Sequence, residues 1–371
     1  MKRIFILIVV LVFAASGVEG RTNRRDSRDQ KQTRERPERK PRGKKKGFNK
    51  VELTVYPSKP ASSGRKYHLL PTDKQKSDSD GVKLYEKAVQ SLHSDDRQTE
   101  QQIREMVEPA LNKLPIEEAQ SILKKYSGTI DLVTQAGQCR ECKWPAAEAG
   151  QVSQEVTRDL SKYRRIAYIL ALKARVEMAQ GKYEKAIETI QTGLAAGKNI
   201  GENPILVQGL VGVAISTVIL KQVDELVQCS GQISLYEALA GLPRPLVDVN
   251  KPIAAELASL DSNPKYNVMV RKMMKKQLEP AHKRVRLTMN RLDRHAAGLQ
   301  CVEALRLYAG AHQGKFPDSL SAIKEVEVPD DPMTKKAFVY SSTATEAVLK
   351  GPAPKDGDAE EALEYKVTLK K

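Results

Sequence analysis

Residues 160–226 constrain this chain more than any other stretch. Leu160, Tyr163, Ala167, Leu170, Ala174 and Met178 recur every three or four positions, which places them on one helical face. Gly181 ends that run, because it can turn left-handed without steric cost. Tyr183, Ala186, Ile187, Ile190 and Leu194 then make a second apolar stripe, with Lys182, Glu184, Lys185 and Glu188 pointing away. The spacing predicts a helical hairpin with a short turn. A third segment, Ile205 to Leu220, carries no charge and is shorter than the roughly 20 residues that span a bilayer. It therefore reads as a buried central helix. Gly209, Gly212, Ala214 and Ser216 would let its neighbours approach closely.

The Gly-x-Tyr-x-x-Ala-Ile run at Gly181 to Ile187 resembles the turn of a tetratricopeptide repeat. A true array repeats every 34 residues, yet Ile215 stands one period on where the turn glycine belongs. The likeness is to one motif. It implies a binding groove between the hairpin helices, lined by Tyr163, Leu170, Tyr183, Ile187 and Ile190, for a peptide or a partner helix.

A net charge of +16 suggests nucleic acid until it is divided along the chain. Residues 21–50 hold fourteen Lys/Arg against four Asp/Glu, a net of +10. From Val51 onward the net is only +5, so the basicity reads as belonging to a tail. That tail, including Arg24, Arg25, Lys44, Lys45 and Lys46, has almost no apolar residues and is read as a disordered basic arm. It serves either as a solvated spacer or as an adhesive for anionic surfaces. Phe48 is its one residue able to stack on a base, which argues against sequence-specific recognition of nucleic acid. Before it, Lys2 and Arg3 precede an apolar run, Ile4 to Ala15, and the small residues Ser16, Gly17 and Gly20. This is the three-part form of a secretory signal peptide, with an uncleaved membrane anchor as the alternative. Arg21, Arg24, Arg25 and Arg28 directly after the run resist translocation, yet export, to periplasm or medium, is the expectation.

Elsewhere the pattern predicts a strand at Val51 to Tyr56 and helices over Lys83 to Leu92, Gln98 to Leu114 and Ile116 to Gln138. A turn around Cys229 to Gln232 leads into Leu235 to Leu242 and then the stiff Pro243-Arg244-Pro245. Asn267 to Ala309 reads as one or two long helices, with Pro280 a break or kink. Strand-like runs at Ala337 to Tyr340, Ala347 to Leu349 and Tyr365 to Leu369 predict a small antiparallel sheet. The fold class is mainly α: a helical-hairpin, tetratricopeptide-like bundle with a C-terminal α+β cap and a disordered basic arm. The divisions are 1–20 signal peptide, 21–50 arm, 51–250 helical domain, 251–310 long helices and 311–371 cap.

Cys142-Lys143-Trp144, the Gly181 hairpin, Leu206 to Gly212, Leu235-Tyr236, Leu242-Pro243-Arg244-Pro245 and Tyr67 with Leu69-Leu70-Pro71 resemble a family of exported planctomycete proteins. That resemblance implies export but no particular activity. Leu307-Tyr308-Ala309 with Gly314, Phe316-Pro317, Ser319-Leu320 and Asp331-Pro332 is similar to the globular tail of type II secretion pseudopilins. The chain lacks a prepilin cleavage motif on a long N-terminal helix, so only a small fold is implied.

Motifs for chemistry are sparse. Cys139-Arg140-Glu141-Cys142 could be a redox pair, half of a zinc site or a structural disulfide. Its surroundings read as helix or loop, which disfavours the thioredoxin arrangement; in an oxidising compartment a structural disulfide, between these two or to a distant partner, is favoured. Cys229 and Cys301 read as buried small residues. His93 with Asp95 and Asp96 suits a polar helix end better than a metal site. Asp73 to Gly81 lacks the placed glycine and terminal glutamate of an EF-hand, and reads as a turn and helix cap. Lys272, Lys275, Lys276, Lys283, Arg284 and Arg286 form a basic run, either a solvated face or a site for an acidic partner. Walker A, Rossmann and Gly-x-Ser-x-Gly patterns are absent. No catalytic residue, metal or cofactor is predicted. The expected function is an exported binding or scaffolding protein with a protein or peptide partner, against an envelope enzyme or an arm-mediated adhesin.

Overall fold

Gly181, at φ +70°, ends one long helix and opens the next. The Lys182 N–H donates to Glu177 O at 2.8 Å and the Gly181 N–H to Met178 O at 3.0 Å, the paired bonds of a Schellman cap. The structure, a computed structural model, describes residues 50–59, 67–92, 97–145, 154–354 and 361–370. The signal-peptide and basic-arm expectations, Arg24, Arg25 and Lys44 to Lys46 included, lie outside these residues.

The chain is mainly helical with a small sheet near its C-terminus. In order it forms β1 (Lys50–Val55), β2 (Ser77–Asp80), α1 (Val82–Gln90), α2 (Arg97–Val107), α3 (Ile116–Lys125), α4 (Ser127–Gly137) and β3 (Cys139–Glu141). Then come α5 (Gln154–Ala179), α6 (Tyr183–Gly201), α7 (Leu206–Leu226), α8 (Tyr236–Ala240), α9 (Asn250–Ser262) and α10 (Val268–Ala311). The last strands are β4 (Val339–Ser342), β5 (Glu346–Gly351) and β6 (Leu363–Leu369). The single helix expected over Ile116 to Gln138 is split at Tyr126, whose φ of −109° and ψ of 11° leave the helical region. Conversely, α10 continues through Pro280 as one helix, without the expected break.

Helix α7 is the centre of the bundle, packed on α5, α6, α9 and α10. It is long and apolar enough to cross a membrane, but here most of it is buried within the protein. Backbones touch where glycines meet. A Cβ on Gly212 would lie 2.5 Å from Gly197 O and 2.6 Å from Gly201 Cα. That is closer than any side chain fits, so α6 and α7 can approach this closely only with glycine there.

The sheet corrects the expectation of a local C-terminal cap. Its order is β1-β6-β5-β4, with β1 parallel to β6 and the other pairs antiparallel. The first described strand thus completes a sheet begun almost 300 residues later. A parallel partner so distant leaves no local signal in the sequence. Residues 49–371 form one compact unit, so the expected divisions at 250 and 310 separate no independent bodies.

Two arginines on α10 lock this arrangement. Arg294 is buried and clasps buried Asp331 with two bonds, Nε to Oδ1 at 2.8 Å and Nη2 to Oδ2 at 2.5 Å. It also donates to the carbonyls of Glu361 (2.6 Å) and Pro352 (2.9 Å). Arg306 pairs with buried Glu303, donates to Tyr56 O at 3.0 Å and to Ser230 O at 2.6 Å. Glu303 in turn accepts the Leu235 N–H at 2.9 Å. Asp293 is less fully matched. It accepts the Leu246 N–H at 2.9 Å, yet burial pushes its carboxyl up to about 6.

Gly212→Ala should destabilise by about 1–3 kcal/mol through backbone overlap, whereas Gly128→Ala, which meets open space, should gain about 0.5–1 kcal/mol; urea unfolding reads both. Asp293 binds its proton more tightly folded than unfolded, so its contribution to stability falls as pH rises from about 4 through about 6. Asp293→Asn should remove that slope from a plot of unfolding free energy against pH.

Candidate functional site: a basic helical hairpin with an exposed apolar tip

No residue from Ala254 to Ala281 is buried. This stretch comprises most of α9, the connection, and the first fourteen residues of α10. It leaves the body as a two-helix hairpin, whose α10 limb is about 20 Å long at 1.5 Å per residue. Helix α9 falls within the 251–310 expected as long helices but has no span of its own there, since its apolar residues Ile253, Leu257 and Leu260 are few and interspersed with alanines. Without it the hairpin cannot be foreseen.

Polar rungs hold the two helices antiparallel. Arg286 Nε donates to Asn250 Oδ1 at 3.0 Å, and His282 Nε2 lies 2.6 Å from Glu256 Oε2. Lys275 pairs with Asp261 at 2.7 Å, and Arg271 Nη2 donates to Asn263 O at 3.0 Å. Half-buried Leu257, Leu260, Met274 and Leu278 accompany these rungs. The tip is closed by Asn267, whose side chain caps α10 by accepting the Val270 N–H at 2.9 Å.

The outward face carries a different composition. At 3.6 residues per turn, Lys272, Lys276 and Lys283 fall within about 40° of one another, flanked by Val268 on one side and by Met269 and Met273 on the other. Val268 is 80% exposed, Met269 81% and Met273 54%. Of the large apolar residues most exposed in the described chain, these three lie within six positions. Among the described residues no carboxylate lies within ion-pair distance of Lys272, Lys276, Lys283 or Arg284. Glu279 shares the lysine stripe as its one acid.

Positive charge is concentrated on this limb. Residues 263–286 hold eight Lys/Arg and one Glu, a net of +7. The α9 limb adds Lys251, Glu256 and Asp261, so the whole hairpin with its base, residues 250–286, nets +6 and the rest of the chain from Val51 onward nets −1. The expectation that the basicity resides in the N-terminal tail is therefore incomplete: the hairpin is a second basic centre. The lysine run is legible in the sequence; the apolar residues beside it carry no signal that singles them out.

The residues expected to line a groove occupy a different place. Tyr163, Leu170, Ile187 and Ile190 are buried in the core, and Tyr183 is half-buried against it. Their stripes face each other and α7, so they hold the bundle together and present no groove. The apolar periodicity is real, but it marks packing.

Cys139 and Cys142 are free thiols, so the expected disulfide is not formed. The motif begins on β3, which pairs in parallel with β2, rather than on helix or loop. Ser79 Oγ lies 3.2 Å from Cys139 Sγ, and a Cβ on Gly81 would come within 2.9 Å of Cys142 Sγ. Beside it Trp144 stacks on Tyr85 and donates from Nε1 to Asn199 O at 2.8 Å. Burial first, then Cys139 and the carboxylates of Asp80 and Glu202, push the Cys142 thiol up to about 12. The Cys229 thiol rises to about 11 and that of Cys301 rises further, both chiefly by burial. These are packing thiols. Asp80 accepts the Val82 N–H at 3.1 Å just before α1, but Ser77–Asp80 form β2 and the N-cap residue is Gly81, without a side-chain cap bond, so the turn-and-cap reading of Asp73 to Gly81 is corrected to a turn followed by a strand.

One His–carboxylate cluster in the core joins α7, α10 and β6. Asp224 lies 3.0 Å from His295 Nε2 and accepts from the Tyr365 hydroxyl at 3.1 Å. Burial, reinforced by Asp224, pushes the Tyr365 phenol well up. Neither a hollow of about 310 Å³ beside His68 and Asp73 nor one of about 380 Å³ beside Tyr308 and His312 includes this cluster. It cross-links the core. Among the described residues no group of three or more His, Cys, Asp or Glu could hold a metal, and His93, Asp95 and Asp96 lie outside them.

The thiol environment has a direct readout. At pH 7.5 the native protein should react with a chromogenic disulfide reagent far more slowly than the same protein in guanidinium, where four thiols titrate promptly. Fast reaction of two thiols in the native state would contradict the packing role. Against known proteins, no family model, no curated protein and no solved structure matches the chain.

Proposed function

We propose that this chain is a helical binding or scaffolding protein of the cell envelope, exported by its N-terminal segment and engaging its partner through the outward face of the α9–α10 hairpin. The observation that carries this reading is the exposure of Val268, Met269 and Met273 beside lysines without a carboxylate partner among the described residues. Large apolar side chains clustered in water and rimmed by charge mark contact surfaces. The body behind them is a rigid mount. The tetratricopeptide-like pair α5–α6 belongs to that mount and supplies packing, with the pseudopilin-like tail adding its sheet. Export rests on Lys2, Arg3, the apolar run Ile4 to Ala15 and the likeness to exported planctomycete proteins.

The test is retention. Full-length protein carrying Val268→Asp, Met269→Asp and Met273→Asp should be lost from the envelope fraction at least about tenfold more readily than the unsubstituted protein, since each buried side chain is worth about a kcal/mol or more. Its urea midpoint should stay unchanged, because all three residues are exposed. Unaltered retention with an intact fold would overturn the hairpin as the contact surface.

A further inference from the structure

We propose that the occupant of the hairpin face is an anionic lipid bilayer, with Met269, Met273 and Val268 entering the acyl boundary and Lys272, Lys276, Lys283 and Arg284 meeting the headgroups. This inference deepens the binding reading above and rests on it. Three observations converge. The surface is the outward face of a projecting limb in which no residue from Ala254 to Ala281 is buried. A convex projection suits a flat, deformable partner better than a rigid protein, which would need a matching concavity. The charge is complementary and concentrated, +6 over the hairpin and its base, residues 250–286, on a chain that from Val51 onward otherwise nets −1. Finally, Val268, Met269 and Met273 stand beside Lys272 and Lys276 on the outward side of α10, so one anionic, apolar-centred surface can meet both. Lysine stems cover apolar surface while their ammonium groups stay at headgroup level.

Nucleic acid accounts for the lysines but not for the apolar residues, since methionine and valine offer no ring for a base to stack on and gain nothing from phosphate. An acidic protein accounts for both only if it brings a groove to receive a convex tip. The bilayer needs no such feature.

The experiment uses full-length protein in which the Lys and Arg residues of 21–50 are replaced by Ser, so that the arm cannot supply the attraction. Sedimentation is measured with vesicles of phosphatidylglycerol and phosphatidylethanolamine and with vesicles of phosphatidylcholine alone. Met269→Trp reports insertion, with the emission of Trp144 in the parent protein as background. Binding to the anionic vesicles alone is expected, with a blue shift of the emission from the introduced indole. Lys272→Glu with Lys276→Glu and Lys283→Glu should reduce binding at least about tenfold, and so should Met269→Ser with Met273→Ser. Binding that persists in the methionine-to-serine variant, with no blue shift in the indole-bearing one, overturns insertion. If vesicles are not bound but heparin, duplex DNA or an acidic protein is retained in a lysine-dependent way, the bilayer is wrong while the hairpin stands as a binding face. If no probe is bound, both readings fall.

Discussion

Two guanidinium groups buried on one helix hold this molecule in its shape. Arg294 and Arg306 both lie on α10, each fully enclosed. Burying a charge is unfavourable unless a counter-charge and hydrogen bonds replace its water. Both positions meet that requirement with carboxylates and with backbone carbonyls from distant segments. Arg294 gathers Asp331, Glu361 and Pro352, while Arg306 gathers Glu303, Tyr56 and Ser230. The planar fork of arginine suits this role because its donors diverge toward several acceptors at once. Lysine at either position would leave carbonyls unpaired. The segment after β1, the loop after α7 and the approaches to β4 and β6 are thus fastened to one element.

That fastening lets α10 extend beyond the core. An isolated helical limb of fourteen residues is marginal in water. Here its far end is continuous with a buried segment, so nucleation is already accomplished. The antiparallel rungs from Arg286–Asn250 to Arg271–Asn263 then lend α9 as a companion. Pro280 is tolerated within the limb because the backbone carbonyl it leaves unpaired lies at Lys276, on the water side. The hairpin is consequently stiff along its length yet unburied. That combination presents side chains in fixed array without adding to the core.

The sequence is most readable where structure is local. The Gly181 turn, the stripes of α5 and α6 and the small residues of α7 follow from spacing alone, because a helix places residues i and i+4 together whatever else the chain does. Legibility fails where pairing is remote. Nothing near Val51 shows that it will lie beside Tyr365, and nothing near Cys139 shows that it will pair with Ser77. Tyr163, Leu170, Ile187 and Ile190 give a correct pattern and a wrong role. Apolar periodicity marks a face that must leave water, and it does not distinguish the bundle's own core from a ligand. The contact face is hidden for the converse reason. Val268, Met269 and Met273 break the rule that apolar residues go inside, and such a breach shows only against known burial.

Charge segregation gives the hairpin a property its composition alone would not. Were the +6 of residues 250–286 spread over the whole body, no surface it approached would meet a concentrated charge. Lys265, Arg271, Lys272, Lys275 and Lys276 stand on the unburied limb, about 20 Å long and thus longer than the screening length of about 8–10 Å at physiological ionic strength, while Lys283, Arg284 and Arg286 stand at its base. An anionic surface near the tip therefore experiences the lysines with little opposition from the nearly neutral body behind them. The same separation orients the folded body, since it favours the hairpin-first approach. Electrostatics then brings the tip within reach, and the apolar residues, whose attraction acts only at contact, decide whether it stays. Lysines without the methionines would give a transient encounter; methionines without the lysines would give no preferred surface. Their juxtaposition on one helical face makes the hairpin a contact device rather than a solvated appendage.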